Sequence, residues 1–205
     1  MPDAWIRSFQ PDDLDALYDV CLQTGDAGQD ATGQFADPRL LGHAFAAPYA
    51  LFEPSLAWVL CDAEGVGGYV LGALDSRAFE ARLDAQWWPQ LRQRYPDPVA
   101  ASIPPEQWTP DERVAARIHN PHRAPAELMA DYPSHLHIDI VARLQGGGHG
   151  AKLMRTVAAG LAAAGSPGVH LFVRNRNGRA YGFYRHIGYT ELAQTHDGWV
   201  LGRRL

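Results

Sequence analysis

The sequence predicts an α/β fold, of α+β character, with helices on both faces of a mixed sheet. Three observations carry this. Residues 135–173 read strand, glycine-rich turn, helix, strand, the order of a right-handed crossover unit. Residues 56–74 read as two strands joined by the turn Asp62-Ala63-Glu64-Gly65. Residues 189–202 read as a second hairpin near the end of the chain.

Taken in order, Trp5 to Phe9 is a short apolar strand. Gln10-Pro11-Asp12-Asp13 opens a helix, because proline fits a first turn and acids offset the dipole there. Leu14, Leu17, Tyr18, Cys21 and Leu22 recur at helical spacing. Residues 25–33 are rich in Gly, Asp and Gln and form a loop. Residues 38–47 form a second short helix that stops before Pro48. The strands Leu56–Cys61 and Val66–Leu74 follow. Gly67, Gly68 and Gly72 in the second of them mark a bulge or a close backbone approach. Residues 76–95 read as one helix carrying Trp87 and Trp88, and prolines then punctuate the chain up to Pro133. The stretch 75–132 is treated as a Pro/Trp-rich helical insertion on one domain spanning 1–205. From there, His135–Val141 is a strand and Arg143–Gly150 a glycine-rich turn. Ala151–Ala164 is a helix with Leu153, Met154, Val157 and Leu161 on one face. Gly165-Ser166-Pro167-Gly168 ends it. Val169–Val173 is a buried-type strand, Asn177–His186 a short helix, and Tyr189–Ala193 with Trp199–Gly202 the last hairpin.

The chain has 205 residues, 46% hydrophobic and 20% charged, enough to bury a core without staples. Its net charge of −5 argues against nucleic acid as a bulk electrostatic partner. Arg174, Arg176 and Arg179 form a local basic exception. Two cysteines, Cys21 and Cys61, give neither a disulfide framework nor a clustered metal set. They read as small core residues in a reducing compartment. The first residues lack a charged segment followed by an apolar run, and no stretch approaches the ~20 apolar residues that span a bilayer. The expectation is a cytoplasmic protein with no membrane partner, either alone or as a homodimer.

Gln145-Gly146-Gly147-Gly148-His149-Gly150 lies between a strand and a helix. Successive amides in such a turn point into one concavity, and the helix N-terminus adds partial positive charge, so a phosphate or pyrophosphate is favoured. A Walker loop needs Gly-Lys followed by Ser or Thr, and here Lys152 lies between Ala151 and Leu153. A dinucleotide fingerprint counted from Gly148 and Gly150 meets Leu153 in place of its third glycine. Counted from Gly146 and Gly148 it meets the tolerated Ala151, but no second strand–helix–strand half follows.

The loop resembles the Gln/Arg-x-x-Gly-x-Gly/Ala signature of the GNAT superfamily of acetyl-CoA-dependent N-acetyltransferases. Asn177-Gly178-Arg179-Ala180-Tyr181-Gly182-Phe183-Tyr184-Arg185-His186-Ile187-Gly188-Tyr189 resembles that family's Asn-x-x-Ala-x-x-Phe-Tyr-x-x-x-Gly-Phe/Tyr motif. The close resemblance covers about 135–192. His135-Leu136-His137-Ile138-Asp139-Ile140 also resembles the acetyltransferase-like domain of O-GlcNAcases and its bacterial relatives. The resemblance implies a GNAT-like sheet, mostly antiparallel, with a central splayed parallel pair. It implies acetyl-CoA (coenzyme A) as co-substrate, no metal, and direct transfer of acetyl to a primary amine in a ternary complex. The acceptor would be a small molecule or a peptide. Ile140 and Val141 would offer backbone groups to the pantetheine arm. Gln145, Gly146, Gly147, Gly148, His149, Gly150 and Ala151 would hold the pyrophosphate. Asn177 would touch the cofactor near the pantetheine, and Tyr184 would be the general acid. The arginines Arg174, Arg176 and Arg179 stand either as contacts for the 3′-phosphate or as a solvated face. A second reading that the resemblance permits is a non-catalytic acyl-CoA-binding module.

The general base is read from the strand. His135, His137 and Asp139 alternate and so share a face. Three polar groups in a core are costly unless paired, which favours a wet or functional face. His137 and Asp139 are the candidates, with His137 the better titrating group near neutral pH. The same residues could instead pair only to shape the cleft. Zinc is disfavoured because the three side chains are strung along the strand and no fourth ligand is evident.

Overall fold

The computed structural model, which describes residues 3–205, has a seven-stranded sheet between two layers of helices. In chain order the described elements are β1 (Trp5–Ser8), α1 (Leu14–Gln23), α2 (Leu40–Phe45), α3 (Ala47–Phe52), β2 (Ala57–Asp62), β3 (Gly65–Ala73), α4 (Ser76–Gln86), α5 (Trp88–Arg94) and α6 (Pro110–His119). They continue with β4 (Ser134–Ile140), α7 (His149–Ala163), β5 (Gly168–Arg174), α8 (Gly178–His186), β6 (Thr190–Gln194) and β7 (Gly198–Arg204). The sheet order is β1-β2-β3-β4-β5-β7-β6, antiparallel except for β4 against β5. The sheet matches the mostly antiparallel arrangement with one parallel pair that the family resemblance implies.

Strict alternation in the strands divides the core in two. Val59 and Cys61 of β2, and Tyr69, Leu71 and Ala73 of β3, face one side. There they meet Leu17 and Val20 of α1, Phe79 of α4, Trp88 and Leu91 of α5, and Ile118 of α6. Leu60, Val70, Leu136, Leu171 and Val173 face the other side, against Leu153, Met154, Val157 and Leu161 of α7. Each such side chain contributes roughly 1.5–3 kcal/mol by burial. The segment 75–132 thus supplies three of the helices on the first face. Its helix starts are locally encoded. Asp75 caps α4 by accepting from the Ala78 N–H (2.9 Å), and Thr109 and Glu112 form a capping box on α6 with Pro110 at its first position.

Proline breaks two helices differently from the sequence expectation. Residues 76–95 form two helices, because Pro89 lacks an N–H and its ring collides with the preceding turn. The chain turns at Trp87, and Pro89 sits in the first turn of α5. Pro48 likewise does not simply end the helix over 38–47; it starts α3. At the glycine turn, the helix begins at His149, two residues before Ala151.

The glycines of β3 are both a bulge and a close approach. Leu60 pairs with Gly68 and Cys61 with Val66, so Gly67 is the extra residue. A Cβ at Gly67 would lie 2.7 Å from the Arg143 guanidinium, and one at Gly72 would lie 3.1 Å from Val157 of α7. No helix of the described residues is long and apolar enough to cross a membrane.

The β5–β7 pairing tolerates no side chain at Gly198, whose added Cβ would lie 2.0 Å from the Val173 carbonyl oxygen. Gly198→Ala is expected to cost about 1–3 kcal/mol and to lower Tm by several degrees. Gly182→Ala in α8, where a Cβ meets nothing within 4 Å, should leave Tm unchanged or raise it. Thermal unfolding of the two variants checks this, and equal Tm values would overturn it.

Candidate active site

The site is organised by the parting of two strands. β4 and β5 pair only at Ser134–Val169 and His135–His170 and then separate, while β5 stays paired with β7 along its length. The β3–β4 register decides what β4 presents to the gap. The Val141 N–H donates to the Gly67 C=O at 2.9 Å, which places Asp139 and His137 in the hydrogen-bonded pairs with Tyr69 and Leu71. The N–H and C=O groups of Ile138 and Ile140 therefore turn toward β5, which has left them. The Ile140 C=O accepts from the Gln145 side-chain amide (2.7 Å). Val141, which the resemblance offered to a ligand along with Ile140, is otherwise engaged. Its N–H holds the sheet and its C=O accepts from Leu144 (3.0 Å).

The glycine turn opens beside this gap. Gly146 (φ +82°) and Gly148 (φ +74°) occupy the left-handed region, and a Cβ on either would meet nothing within 4 Å. From Gly146 to Ala151 no amide finds a backbone acceptor, the first helical bond being Lys152 N–H to Gly148 C=O. Six successive donors at the N-terminus of a 15-residue helix are therefore without a backbone acceptor among the described residues, an arrangement that fits a pyrophosphate. His149 adds a buried Nδ1 with no partner among the described residues. Gly150 has another reason. Its Cβ would lie 3.1 Å from Phe183, so it lets α8 close against α7. The turn is tied down by Arg143, whose guanidinium donates to Asp62 (3.0 and 3.3 Å) at the end of β2 and holds that carboxyl below its usual range.

The three polar residues of β4 face α1–α6, opposite the face covered by α7. His137 Nε2 lies 3.0 Å from Asp139 Oδ2, which also accepts from the Tyr69 hydroxyl at 2.5 Å. An ionised carboxylate only accepts, so the His137 proton sits on Nε2 and Nδ1 carries the free lone pair. Phe45 of α2 stacks on the ring (6.2 Å between centroids). His135 stands apart. The Ser76 hydroxyl donates to the Pro133 C=O (2.7 Å), and so accepts from His135 Nδ1 (2.8 Å). Burial and the neighbouring His170 push His135 down to about 3, so it is neutral and structural.

Tyr184 reaches the gap from α8, between Phe183 and Tyr189. Its hydroxyl has no hydrogen-bond partner among the described residues, and burial, with the charge of Asp139 across the gap, raises its pKa. Asn177 caps α8, its Oδ1 accepting from the Ala180 N–H at 3.1 Å. Arg174 lies on the opposite side of β5 from Leu171 and Val173 and so projects away from α7.

Two residues were not legible as site residues. Tyr69 orients Asp139 from β3. Cys21 Sγ, from α1, lies with His137 and Asp139 so that their ligand atoms are all within 4.8 Å of one another. On spacing alone, any zinc would sit on the strand triplet His135, His137 and Asp139, with Cys21 in the core. The fold replaces His135 by Cys21 in the cluster, although burial raises the thiol and opposes the thiolate a metal needs.

The chain is 40% identical to the protein in a crystal structure of SsHAT, with a TM-score of 0.89 over 99% of this chain and 98% of that one. The chain belongs to the GNAT acetyltransferase superfamily. PaiA N-acetyltransferase from Thermoplasma acidophilum, solved with coenzyme A, is 10% identical (TM-score 0.59 over 99% of both chains) and shares the fold. The O-GlcNAcase of Rattus norvegicus is 26% identical over 205 residues, 98% of this chain. The chain spans 22% of the length of that relative. No family model matches the chain.

Within this GNAT fold, His135 predicts an acid sensitivity. The folded state keeps the ring neutral down to about pH 3, whereas an unfolded histidine protonates near ~6.5. The unfolded chain binds more protons between these values. Stability is therefore full above pH 6.5 and falls as the pH drops toward 3. About 2 kcal/mol is lost by roughly pH 5. His135→Gln should flatten the decline of Tm between about pH 7 and 5, and an unchanged slope would remove His135 from the account.

Proposed function

We propose that the protein transfers acetyl from acetyl-CoA to a primary amine by direct attack in a ternary complex. One juxtaposition supports this reading: the unpaired amides of the glycine turn follow the end of β4, the His137–Asp139 pair lies on β4 where it has left β5, and the Tyr184 hydroxyl is near enough to Asp139 to feel its charge. Amides 146–151 would hold the pyrophosphate, with Gln145 fixing the end of β4 and Asn177 fixing α8. The pantetheine arm would replace the missing strand, pairing with the free groups of Ile138 and Ile140.

The reaction then divides between the two faces of the sheet. The amine arrives on the face of His137 and the thioester lies in the gap. An alkylamine with a pKa near ~10.4 is mostly protonated at neutral pH and cannot attack. His137 Nδ1 takes that proton, with Asp139, held by Tyr69, orienting the ring. The nitrogen adds to the thioester carbonyl, and a β4 amide facing the gap holds the oxyanion. Collapse breaks the C–S bond, the departing thiolate takes the proton of Tyr184, and the nitrogen's second proton passes to the resulting phenolate, which leaves a neutral amide and restores Tyr184. No cysteine nucleophile is needed.

Thiol release from acetyl-CoA across an amine panel tests the reading. Binding of acetyl-CoA without release against any amine would overturn it in favour of a non-catalytic acyl-CoA-binding module. Tyr184→Phe and His137→Gln are each expected to lower kcat by about 10²–10⁴-fold, with the acetyl-CoA Kd from calorimetry little changed. Unchanged turnover would remove the residue from its role. Gly148→Val forces a side chain into the left-handed region, at about 1–2 kcal/mol, and into the space of the pyrophosphate. It should abolish measurable acetyl-CoA binding, and an unaltered Kd would mean that the turn does not hold the cofactor.

A further inference from the structure

On the same face of the sheet as the His137–Asp139 pair lies a cavity of about 300 Å³. Its walls come from far apart in the chain: Arg117 of α6, His122 after it, and Phe172, Arg174 and Arg176 at the end of β5. Phe172 and Arg174 alternate with Leu171 and Val173, whose side chains pack toward α7, so they point to the face of His135 and His137. Arg117 and the histidine are linked through one ring. The Arg117 guanidinium lies 5.7 Å from the Phe45 centroid, and Phe45 stacks on His137.

Three guanidiniums and one carboxylate line the cavity. Arg176 pairs with Asp26 (3.0 Å), and the one carboxylate lining the cavity, Asp197, pairs with His196 (3.1 Å). Among the described residues neither Arg117 nor Arg174 has a carboxylate within 4.0 Å. Two neighbouring guanidiniums left without a partner are costly, and a bidentate oxyanion is what their fork geometry fits.

We propose that Arg117 and Arg174 form an oxyanion-reading subsite, so that the acceptor is an amine whose far end carries a carboxylate or a phosphate. The proposal rests on the acetyl-transfer reading above and supplies the substrate class that it leaves open. The amine would reach His137 past the Phe45 ring while the anionic end enters the cavity, with Phe172 covering the methylenes between. Burial lowers the pKa of both guanidiniums, that of Arg117 to about 10; Arg174 adds to this at Arg117 and Arg176 adds to it at Arg174, against a smaller opposing effect of Asp197.

The test compares kcat/KM for ω-aminoalkanoates of graded length with that for the matching alkylamines, and an aminoalkyl phosphate series separates phosphate from carboxylate. The wild-type protein should prefer an anionic amine by roughly 10–100-fold. Arg117→Gln and Arg174→Gln should each bring that ratio toward one. Arg117→Lys should keep part of it, and Arg113→Gln on the same helix should not change it. In parallel, the rise in Tm caused by the anionic amine in the presence of coenzyme A is measured in the same variants. Efficient acetylation of amines with no preference for the anion overturns the subsite and leaves the acetyl-transfer reading intact. No turnover, with an anion-dependent Tm rise that Arg117→Gln abolishes, supports the subsite and removes the enzymatic reading. A Tm rise insensitive to both arginine variants overturns the subsite.

Discussion

Most of the chemistry in this molecule follows from a debt of backbone hydrogen bonds along one strand edge. A central strand ordinarily satisfies both edges in the sheet. β4 satisfies one edge with β3 and loses the other where β5 turns away after two residue pairs. The groups of Ile138 and Ile140 are left facing a gap in the middle of the fold. The cost is met partly from within, since Gln145 reaches back to the Ile140 carbonyl. What is left is a short row of backbone donors and acceptors without a strand partner. The Tyr184 phenol on the α7–α8 side also lies near enough to Asp139 on the other side for that charge to add to the effect of burial in raising its pKa.

The glycines clustered around this gap serve unlike purposes. Gly146 and Gly148 are there for their backbone angles and for the open space beside them. Gly150, Gly67 and Gly72 have ordinary angles and are there because a neighbour comes too close: Phe183, Arg143 and Val157 in turn. The first group shapes the turn. The second brings α7, α8 and the Arg143–Asp62 pair near enough to hold it still. A glycine-rich string read only as a phosphate loop hides this division.

What the sequence disclosed, and what it did not, tracks the range of the interactions. Strand alternation, the stripe Leu153, Met154, Val157 and Leu161, and the break at Gly165 to Gly168 are local and were legible. The order of elements and the mixed sheet followed from them. The second helix at Pro48 and the division of residues 76–95 at Pro89 are less legible, because proline both ends one helix and starts the next, and the residues beyond it decide which. For the site, the glycine turn and Tyr184 were legible through paired motifs. Tyr69 and Cys21 were not, because they meet Asp139 only through the β3–β4 register and the packing of α1 across it. His135 shares spacing and residue type with His137, yet the fold gives it Ser76 and a buried ring of aromatics. Periodicity assigns the three polar residues one face and does not say which neighbours each will find there.

The two sides of the sheet are built from different parts of the chain. The turn, α7, α8 and the gap between β4 and β5 come from one contiguous stretch after residue 134, whereas the opposite layer is assembled from residues before it. Inheritance can therefore act on the two independently. Replacement of α4–α6 would redesign what approaches His137 without disturbing a single amide of the turn. The sheet acts as a partition between a side built from one contiguous stretch and a side assembled from scattered segments, so the two can be altered by separate substitutions.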